Sequence, residues 1–573
     1  MPNDEGQSTE CKTMECETMK CHTMTHRWRI GLAATLALTC AVAAHTSVRA
    51  QTSPSAETAC EALIDLRSLT ITSARLVESE STGETYCYVR GILPPAIGFH
   101  TQLPLPENWN GRYLTWGDGG KDGDLDFSDA RVAEGYAVAN SNTGHDNGAE
   151  PASSFGWNNR QAEIDFGHRA VHLTTVAGKT LTRAYYGRAP EYSYFEGCST
   201  GGRQGLMEAQ RYPDDFDGIV AGAPVNYYQA LNASRMWLMQ KVYANDLEAS
   251  LTFDTDDDGL PDSDTKLAVL ADTVMAACDG QDGILDGVID NPMSCDVDPA
   301  RDLADMMCID NIDGDDCFTR AQLALIETLY AGTFDSSGTL VYQGKPPGSE
   351  RAWLNRLFPH PRNRHTPGNF SIAGDHLNYI FYEDDPGITL TDLVDPSVEP
   401  KKDRNPPEWS WREFDIDDMT NGKGDLMMSI MDASDPDLER FLIGNDGKLI
   451  LYHGWNDVMT VAPATIDYYD QMVDATFGGE IGLAKDRARL FLAPGMGHCR
   501  GDAGPDTWDR LAPLVDWVEH GTAPDAIIAT HQTDGEVDNE RPLCAYPERA
   551  VYTGPAGGEN DAANWVAGNF ACQ

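Results

Sequence analysis

The sequence predicts an α/β fold in which one sheet-and-helix core is interrupted by a long insertion. Strand-like apolar runs alternate with helix-like segments over residues 60–221, as in chains that form a parallel sheet. The alternation stops near Val225, where Asp, Gly, Pro and Cys become frequent, and it resumes at Lys448. We therefore expect four parts: an N-terminal region and signal peptide (1–50), the first core part (51–224), an inserted domain (225–441) and the second core part (442–573).

The individual elements follow from local patterns. Aromatic and β-branched residues predict strands at 86–89, 113–116, 192–195, 217–221, 448–452 and 488–492. Longer segments with helical spacing of apolar residues predict helices at 170–181, 201–212, 267–277, 320–330, 464–472 and 508–519.

The charge of the chain excludes one class of partner. The 573 residues contain 42 Lys and Arg against 90 Asp and Glu, a formal net charge of -48. A nucleic-acid partner is not expected, because neutralising phosphates requires a basic face. The simplest interpretation of the acidity is a solvated surface, and cation binding is the alternative.

The N-terminal region predicts export. A basic stretch at 26–29 precedes a mostly apolar run at 30–44, and small residues lead to Ala50, as in a secretory signal peptide. The run is short for a membrane-spanning helix, and no later stretch is long enough to span a bilayer. We expect a secreted or periplasmic protein without a membrane span. The cysteines at 11, 16 and 21 allow a metal-binding tract, although a true start at Met24 explains them more simply.

The cysteine count then predicts disulfides. Four of the fourteen cysteines precede residue 51, and an even set of ten in an exported chain predicts five bridges. Sequence alone does not establish the pairing. Closeness along the chain suggests the pairs Cys60–Cys87, Cys278–Cys295, Cys308–Cys317 and Cys544–Cys572. Cys198 and Cys499 then remain.

A nucleophile motif lies between a predicted strand and a predicted helix. Residues 197–201, Gly-Cys-Ser-Thr-Gly, fit G-x-S-x-G, and this context is that of a nucleophile elbow presenting Ser199. Asp457 and His498 each follow a later strand, in the order serine, acid, base that a hydrolase triad requires. The alternatives are a helix-capping serine, a turn-capping aspartate and a structural histidine. A bridge between Cys198 and Cys499 would hold the serine and histidine loops together.

These residues resemble the tannase and feruloyl esterase family. The matching segments are 197–204, 454–457 and 497–499, and the resemblance extends from about residue 60 to the C-terminus. It implies an α/β-hydrolase fold with a large inserted lid domain, and a Cys198–Cys499 disulfide joining the active-site loops. It also implies an oxyanion hole made by the backbone N–H groups of Thr200 and Gly120, with Gly119 next in order for the second position.

Acidic turns in the inserted domain predict calcium. By the same resemblance, structural Ca²⁺ would be bound by the side chains of Asp279, Asp282 and Asp286 and by the carbonyl groups of Ile284 and Val288. A solvated acidic turn is the alternative. Residues 254–262 also match the opening of an EF-hand-like loop, but the twelfth position is Thr265 rather than Glu, so a second ion there is an open question.

The predicted function is that of a serine carboxylesterase for a small aromatic ester of the feruloyl, galloyl or terephthaloyl type. An aromatic and cationic group in the insertion could contact such a substrate: Trp409, Trp411, Arg412 and Phe414. Packing of the insertion onto the core is the alternative role for these residues. The alternative functions are an oligoester or polyester depolymerase on the same fold, a catalytically inactive calcium-dependent binding protein, and a metal-dependent hydrolase.

Overall fold

The computed structural model describes residues 55–385 and 411–573. The predicted signal peptide, residues 1–50, and Trp409 lie outside these ranges. The described residues belong to one compact unit. Within the described ranges, the structure contains no helix that is both long enough and apolar enough to cross a bilayer.

The strands and helices are numbered in chain order. The strands are β1 (Thr70–Glu78), β2 (Thr85–Leu93), β3 (Ile97–Pro104), β4 (Arg112–Gly117), β5 (Ala137–Ser141), β6 (Tyr192–Cys198), β7 (Gly218–Gly222), β8 (Thr333–Phe334), β9 (Leu340–Tyr342), β10 (Lys448–Gly454), β11 (Ala488–Ala493), β12 (Ala526–Thr533), β13 (Glu536–Cys544), β14 (Ala550–Tyr552) and β15 (Phe570–Cys572). The α-helices are α1 (Ala56–Glu61), α2 (Asp129–Ala133), α3 (Arg160–Ile164), α4 (Ala170–Tyr186), α5 (Thr200–Arg211), α6 (Tyr228–Val242), α7 (Thr265–Cys278), α8 (Pro299–Asp302), α9 (Arg320–Ala331), α10 (Glu350–Leu357), α11 (Gly368–Tyr379), α12 (Asp425–Met431), α13 (Ala462–Phe477), α14 (Ile481–Lys485) and α15 (Ala512–His520).

A nine-stranded sheet forms the core, with the strand order β1-β2-β3-β5-β4-β6-β7-β10-β11. The strands from β5 to β11 in this order are parallel, and β1, β2 and β3 extend the sheet in antiparallel fashion. Every residue of β7 and β10 is buried, as expected for parallel strands covered on both faces. The predicted α/β core is therefore confirmed.

Strands β7 and β10 are hydrogen-bonded neighbours, although the long insertion separates them in the chain. Helices α4, α5 and α13 contribute to the apolar cluster on one face of the sheet, and α15 contributes to the cluster on the other. A third cluster joins the apolar residues of the insertion to core residues such as Phe166, Val458 and Val461. This packing places the insertion against the loop that follows β10.

The predicted start of the helix at 508–519 is wrong. The sequence pattern predicts a helix over 508–519, whereas α15 begins only at Ala512. The carboxylate of Asp509 accepts hydrogen bonds from the N–H groups of Leu511 and Ala512, and a proline follows in the first turn. Both features are typical of a helix start, so the residues before Leu511 form the entry to the helix.

The five predicted disulfides are all present. They join Cys60 to Cys87, Cys198 to Cys499, Cys278 to Cys295, Cys308 to Cys317, and Cys544 to Cys572. The bridge between Cys198 and Cys499 links two parts of the core that lie on opposite sides of the insertion in sequence.

Candidate active site

Ser199 lies at a sharp turn between β6 and α5. Its backbone angles are φ +63° and ψ -121°, which a residue other than glycine adopts only under strain. The turn requires neighbours without side chains. A Cβ atom on Gly197 would lie 2.8 Å from the backbone of Gly201, and one on Gly202 would lie 2.3 Å from the carbonyl oxygen of Gly222. The glycines of the motif therefore permit the close strand-to-helix contact that presents the serine hydroxyl group.

The structure brings the three predicted triad residues together. Nε2 of His498 lies 2.8 Å from Oγ of Ser199, and Nδ1 of His498 lies 2.6 Å from Oδ2 of Asp457. The disulfide that connects the serine and histidine loops holds the Cα atoms of Cys198 and Cys499 at 6.1 Å. This arrangement can transfer a proton from the serine hydroxyl group to the imidazole while the carboxylate orients the ring.

Asp457 is fully buried, and its two oxygens accept several hydrogen bonds. Oδ1 accepts from the N–H groups of Met459 at 2.8 Å and Thr460 at 3.2 Å. Oδ2 accepts from the Thr460 hydroxyl group at 2.7 Å and lies 3.1 Å from Nε2 of His453. Because a carboxylate can only accept, this Nε2 carries the hydrogen.

The charge of Asp457 is well compensated. Burial alone would raise its pKa, but the attraction of His498 and the hydrogen bonds from His453 and His498 hold the pKa of Asp457 well below its usual range. His453 and Thr460 are the supporting residues that sequence reasoning missed. The available signal was the position of His453, four residues before the acid at the end of a predicted strand.

The predicted oxyanion loop follows β4 and contacts the start of α5. The hydroxyl group of Thr200 donates to the carbonyl oxygen of Gly120 at 2.7 Å, and the N–H of Asp118 donates to the side chain of Gln204 at 3.1 Å. Among the described residues, the backbone N–H groups of Thr200 and Gly120 have no hydrogen-bond acceptor. Both groups therefore remain available to a ligand, although binding of an oxyanion stays a prediction.

Two cations of the insertion hold the loop that carries Asp457. The Arg235 guanidinium donates to the carbonyl oxygen of Met459 at 2.5 Å, and the Lys345 ammonium donates to that of Val458 at 3.2 Å. Burial lowers the pKa of Lys345 to about 8 and that of Arg235 to about 10. The acid loop is thus fixed from one side by the core strands and from the other side by the insertion.

The residues predicted to contact substrate pack against other residues of the insertion. Trp411 is buried and packs edge-on against Tyr243 and Phe370. Arg412 stacks over Trp411, and Phe414 is buried and contacts Phe381. These are the contacts of the packing alternative. A contact between these residues and a substrate stays a prediction, and Trp409 lies outside the described residues.

The predicted calcium loop contacts a buried arginine. Each of its three aspartates accepts from a backbone N–H of the same loop: Asp279 from Gly287, Asp282 from Ile284, and Asp286 from Val288. The Arg541 guanidinium donates to the second oxygen of Asp282 at 2.7 Å and to that of Asp286 at 3.2 Å. Carboxylates on a looped backbone remain the donor chemistry that Ca²⁺ prefers. In the loop at 254–262, carboxylate oxygens of Asp254, Asp256 and Asp258 lie within 4.8 Å of one another.

Known proteins resemble this chain in sequence and in fold. A family model described as "Tannase and feruloyl esterase" matches residues 79–567. The chain is 32% identical over 544 residues to mono(2-hydroxyethyl) terephthalate hydrolase of Piscinibacter sakaiensis, covering 85% of this chain and 84% of that protein. It is 30% identical over 455 residues to probable feruloyl esterase B-2 of Aspergillus flavus, covering 76% and 77% respectively. The crystal structure of feruloyl esterase B from Aspergillus oryzae matches with a TM-score of 0.74 and 24% identity, over 91% of this chain and 100% of that one. The fold is that of an α/β-hydrolase.

Proposed function

Because this chain belongs to the tannase and feruloyl esterase family and is a carboxylic ester hydrolase, we propose that it is an exported serine esterase that cleaves esters of aromatic acids. The observation that carries the proposal is the continuous hydrogen-bonded set of Ser199, His498 and Asp457. The names of the relatives, which refer to terephthaloyl and feruloyl esters, support the aromatic acid. The five disulfides support export to an oxidising compartment.

In the first half of the reaction, Nε2 of His498 removes the hydroxyl proton of Ser199, and Oγ attacks the ester carbonyl carbon. The carbonyl oxygen becomes an oxyanion, which the N–H groups of Thr200 and Gly120 stabilise. One such donor typically contributes about 3–4 kcal/mol. The imidazolium then gives its proton to the leaving alcohol, and the acyl group remains bound to the serine.

In the second half, a water molecule gives its proton to His498 and attacks the acyl-enzyme. The aromatic acid leaves, and the proton returns to Oγ of Ser199. Asp457 remains ionised throughout, because its pKa lies well below its usual range. Its carboxylate keeps the imidazole in the tautomer with a hydrogen on Nδ1 and stabilises the imidazolium.

The insertion serves as a lid, and we assign it a structural calcium ion. The side chains of Asp279, Asp282 and Asp286 and the carbonyl groups of Ile284 and Val288 would hold the ion. The Cys278–Cys295 bridge, which closes the segment containing this loop, supports the assignment. The ion would stabilise the loop and take no part in the chemistry.

Product analysis on methyl ferulate, methyl gallate and mono(2-hydroxyethyl) terephthalate tests this function. We expect the wild-type protein to release the free acid from at least one of them, and Ser199→Ala to lower kcat by at least about 10⁴-fold. Ser371→Ala, an exposed serine on α11, is the control and should keep wild-type activity. Unchanged hydrolysis by Ser199→Ala would refute the serine mechanism. A wild-type protein inactive on all three esters would refute the substrate class.

A further inference from the structure

A cluster of three metal-ligating side chains lies apart from the triad. His172 belongs to α4, Glu208 belongs to α5, and Asp215 lies in the loop after α5. Their potential ligand atoms all lie within 4.8 Å of one another, and Nδ1 of His172 is 2.6 Å from Oδ2 of Asp215. We propose that these three residues bind a divalent transition-metal ion of the zinc type.

Glu208 is the independent observation that points to a ligand. Its side chain is 1% exposed, and neither of its carboxylate oxygens accepts a hydrogen bond from an N–H or hydroxyl group; its polar neighbour is the carboxyl group of Asp215. A buried carboxylate without a donor is strongly unfavourable, so such groups are normally paired or coordinate a metal. The nearby ammonium group of Lys179 donates to the carbonyl oxygen of Asp215 rather than to Glu208.

The local charges leave room for a dication. Lys179 interacts electrostatically with three carboxylates, those of Glu208, Asp215 and Asp217. Asp217 also accepts from the N–H of Ser193 at 2.8 Å. With one ammonium against three carboxylates, two negative charges remain, which one divalent cation would neutralise. Burial, the charge of Asp215 and a hydrogen bond with Asp215 raise the pKa of Glu208 well above its usual range.

The donor set selects the class of metal. One imidazole nitrogen with two carboxylate oxygens suits zinc and neighbouring transition metals, whereas Ca²⁺ and Mg²⁺ prefer oxygen ligands alone. Zinc would replace the proton between His172 and Asp215. At bond lengths of about 2.0–2.2 Å in tetrahedral geometry, it requires these two atoms to separate to roughly 3.3 Å. The 2.6 Å contact would therefore open by less than 1 Å.

The site is accessible and its histidine is already oriented. The side chains of His172 and Asp215 are 28% and 14% exposed, so an ion can enter and a water molecule can complete its coordination. The His172 ring stacks on Tyr212, with ring centroids 3.9 Å apart and an interplanar angle of 8°. Glu208 lies eight residues after Thr200, or about 12 Å along the helix axis. The ion would therefore stabilise the packing of α5 on α4 without touching the substrate.

Zinc titration of the metal-stripped full-length protein tests the site. The variant is His172→Asn. The matched control is His520→Asn, which removes the histidine of an exposed His520–Asp516 pair, 3.1 Å apart, on α15. We expect wild type and control each to bind one zinc ion per chain at this site. His172→Asn should bind that ion more than about 100-fold more weakly. That ion should raise Tm in the first two proteins only, and kcat should be the same in all three. Zinc bound at any other position would add equally to the measured stoichiometry and Tm of all three proteins.

Two results would overturn the proposal. One is a His172→Asn protein with the same zinc stoichiometry, affinity and Tm shift as wild type. The other is a calcium-induced Tm shift of equal size that depends on His172, which would exclude a transition-metal site. Glu208→Gln provides a second variant, because the amide removes the ligand charge while keeping the shape. His172 is partly exposed, so its substitution tests the site even if the buried Glu208→Gln change prevents folding.

Discussion

Removing the disulfide between the catalytic loops should reduce both stability and activity. The Cys198–Cys499 bridge closes a segment with a sequence separation of 301 residues, whereas the Cys308–Cys317 bridge closes one of only 9. In the chain-entropy relation, these closures stabilise the folded state by about 5.7 and about 2.6 kcal/mol. All four cysteines are partly exposed, so the two bridges are matched in burial.

The assay compares the double variants Cys198→Ser/Cys499→Ser and Cys308→Ser/Cys317→Ser. Urea unfolding followed by tryptophan fluorescence should show a loss of unfolding free energy about 3 kcal/mol greater for the first. The first should also lose activity, because its bridge holds the loops that keep the serine hydroxyl group and imidazole 2.8 Å apart. A displacement of about 1 Å would lower kcat about 100-fold.

The control should keep wild-type kcat, because its bridge closes a turn of the insertion far from the triad in sequence. Equal losses of unfolding free energy in the two double variants would contradict this prediction. Wild-type kcat in the first variant, still folded by circular dichroism, would contradict it as well.

Three further predictions concern the acid loop and calcium. Thr460→Val should lower kcat about tenfold by removing the hydroxyl donor of Asp457. Equal kcat in Thr460→Val and in the control Thr180→Val, a partly exposed position on α4, would contradict this. Lys345 has a folded-state pKa of about 8, below its ordinary 10.5. Between pH 8 and 10.5 its amino group is therefore protonated mainly in the unfolded chain. The Tm of wild type relative to Lys345→Met should therefore rise from pH 8 to 10.5, and a constant difference would be inconsistent with a buried ammonium. EGTA should lower the Tm of wild type and of Asp254→Asn alike, added Ca²⁺ should restore both, and an unchanged wild-type Tm would argue against calcium.

Local patterns explain why much of the candidate site could be predicted. Ser199, Asp457 and His498 each follow a strand that has a recognisable run of apolar residues, and their order along the chain matches the order that the parallel sheet requires. The glycines around the serine could be recognised because a side chain there would clash with the neighbouring backbone. These features depend on residues close together in sequence, so no knowledge of the packing was needed.

Contacts between distant segments could not be predicted in this way. Trp411 and Phe414 were candidates for substrate binding on composition alone, and only the packing showed that they lie among aromatic residues of the insertion. Arg235 and Lys345 precede Asp457 by more than a hundred residues, yet both bind carbonyl groups of its loop. No short motif marks such pairs.

By itself, the sequence determined the α/β class, the order of the three triad residues and an even set of cysteines in the chain after residue 50. Each of these is written in residue types and short spacings, which local backbone geometry converts directly into turns and strands. Only the tertiary structure decided which groups surround Asp457 and that His172, Glu208 and Asp215 converge. Those contacts depend on how helices and loops pack across the sheet, and packing arises from the whole chain rather than from any one segment.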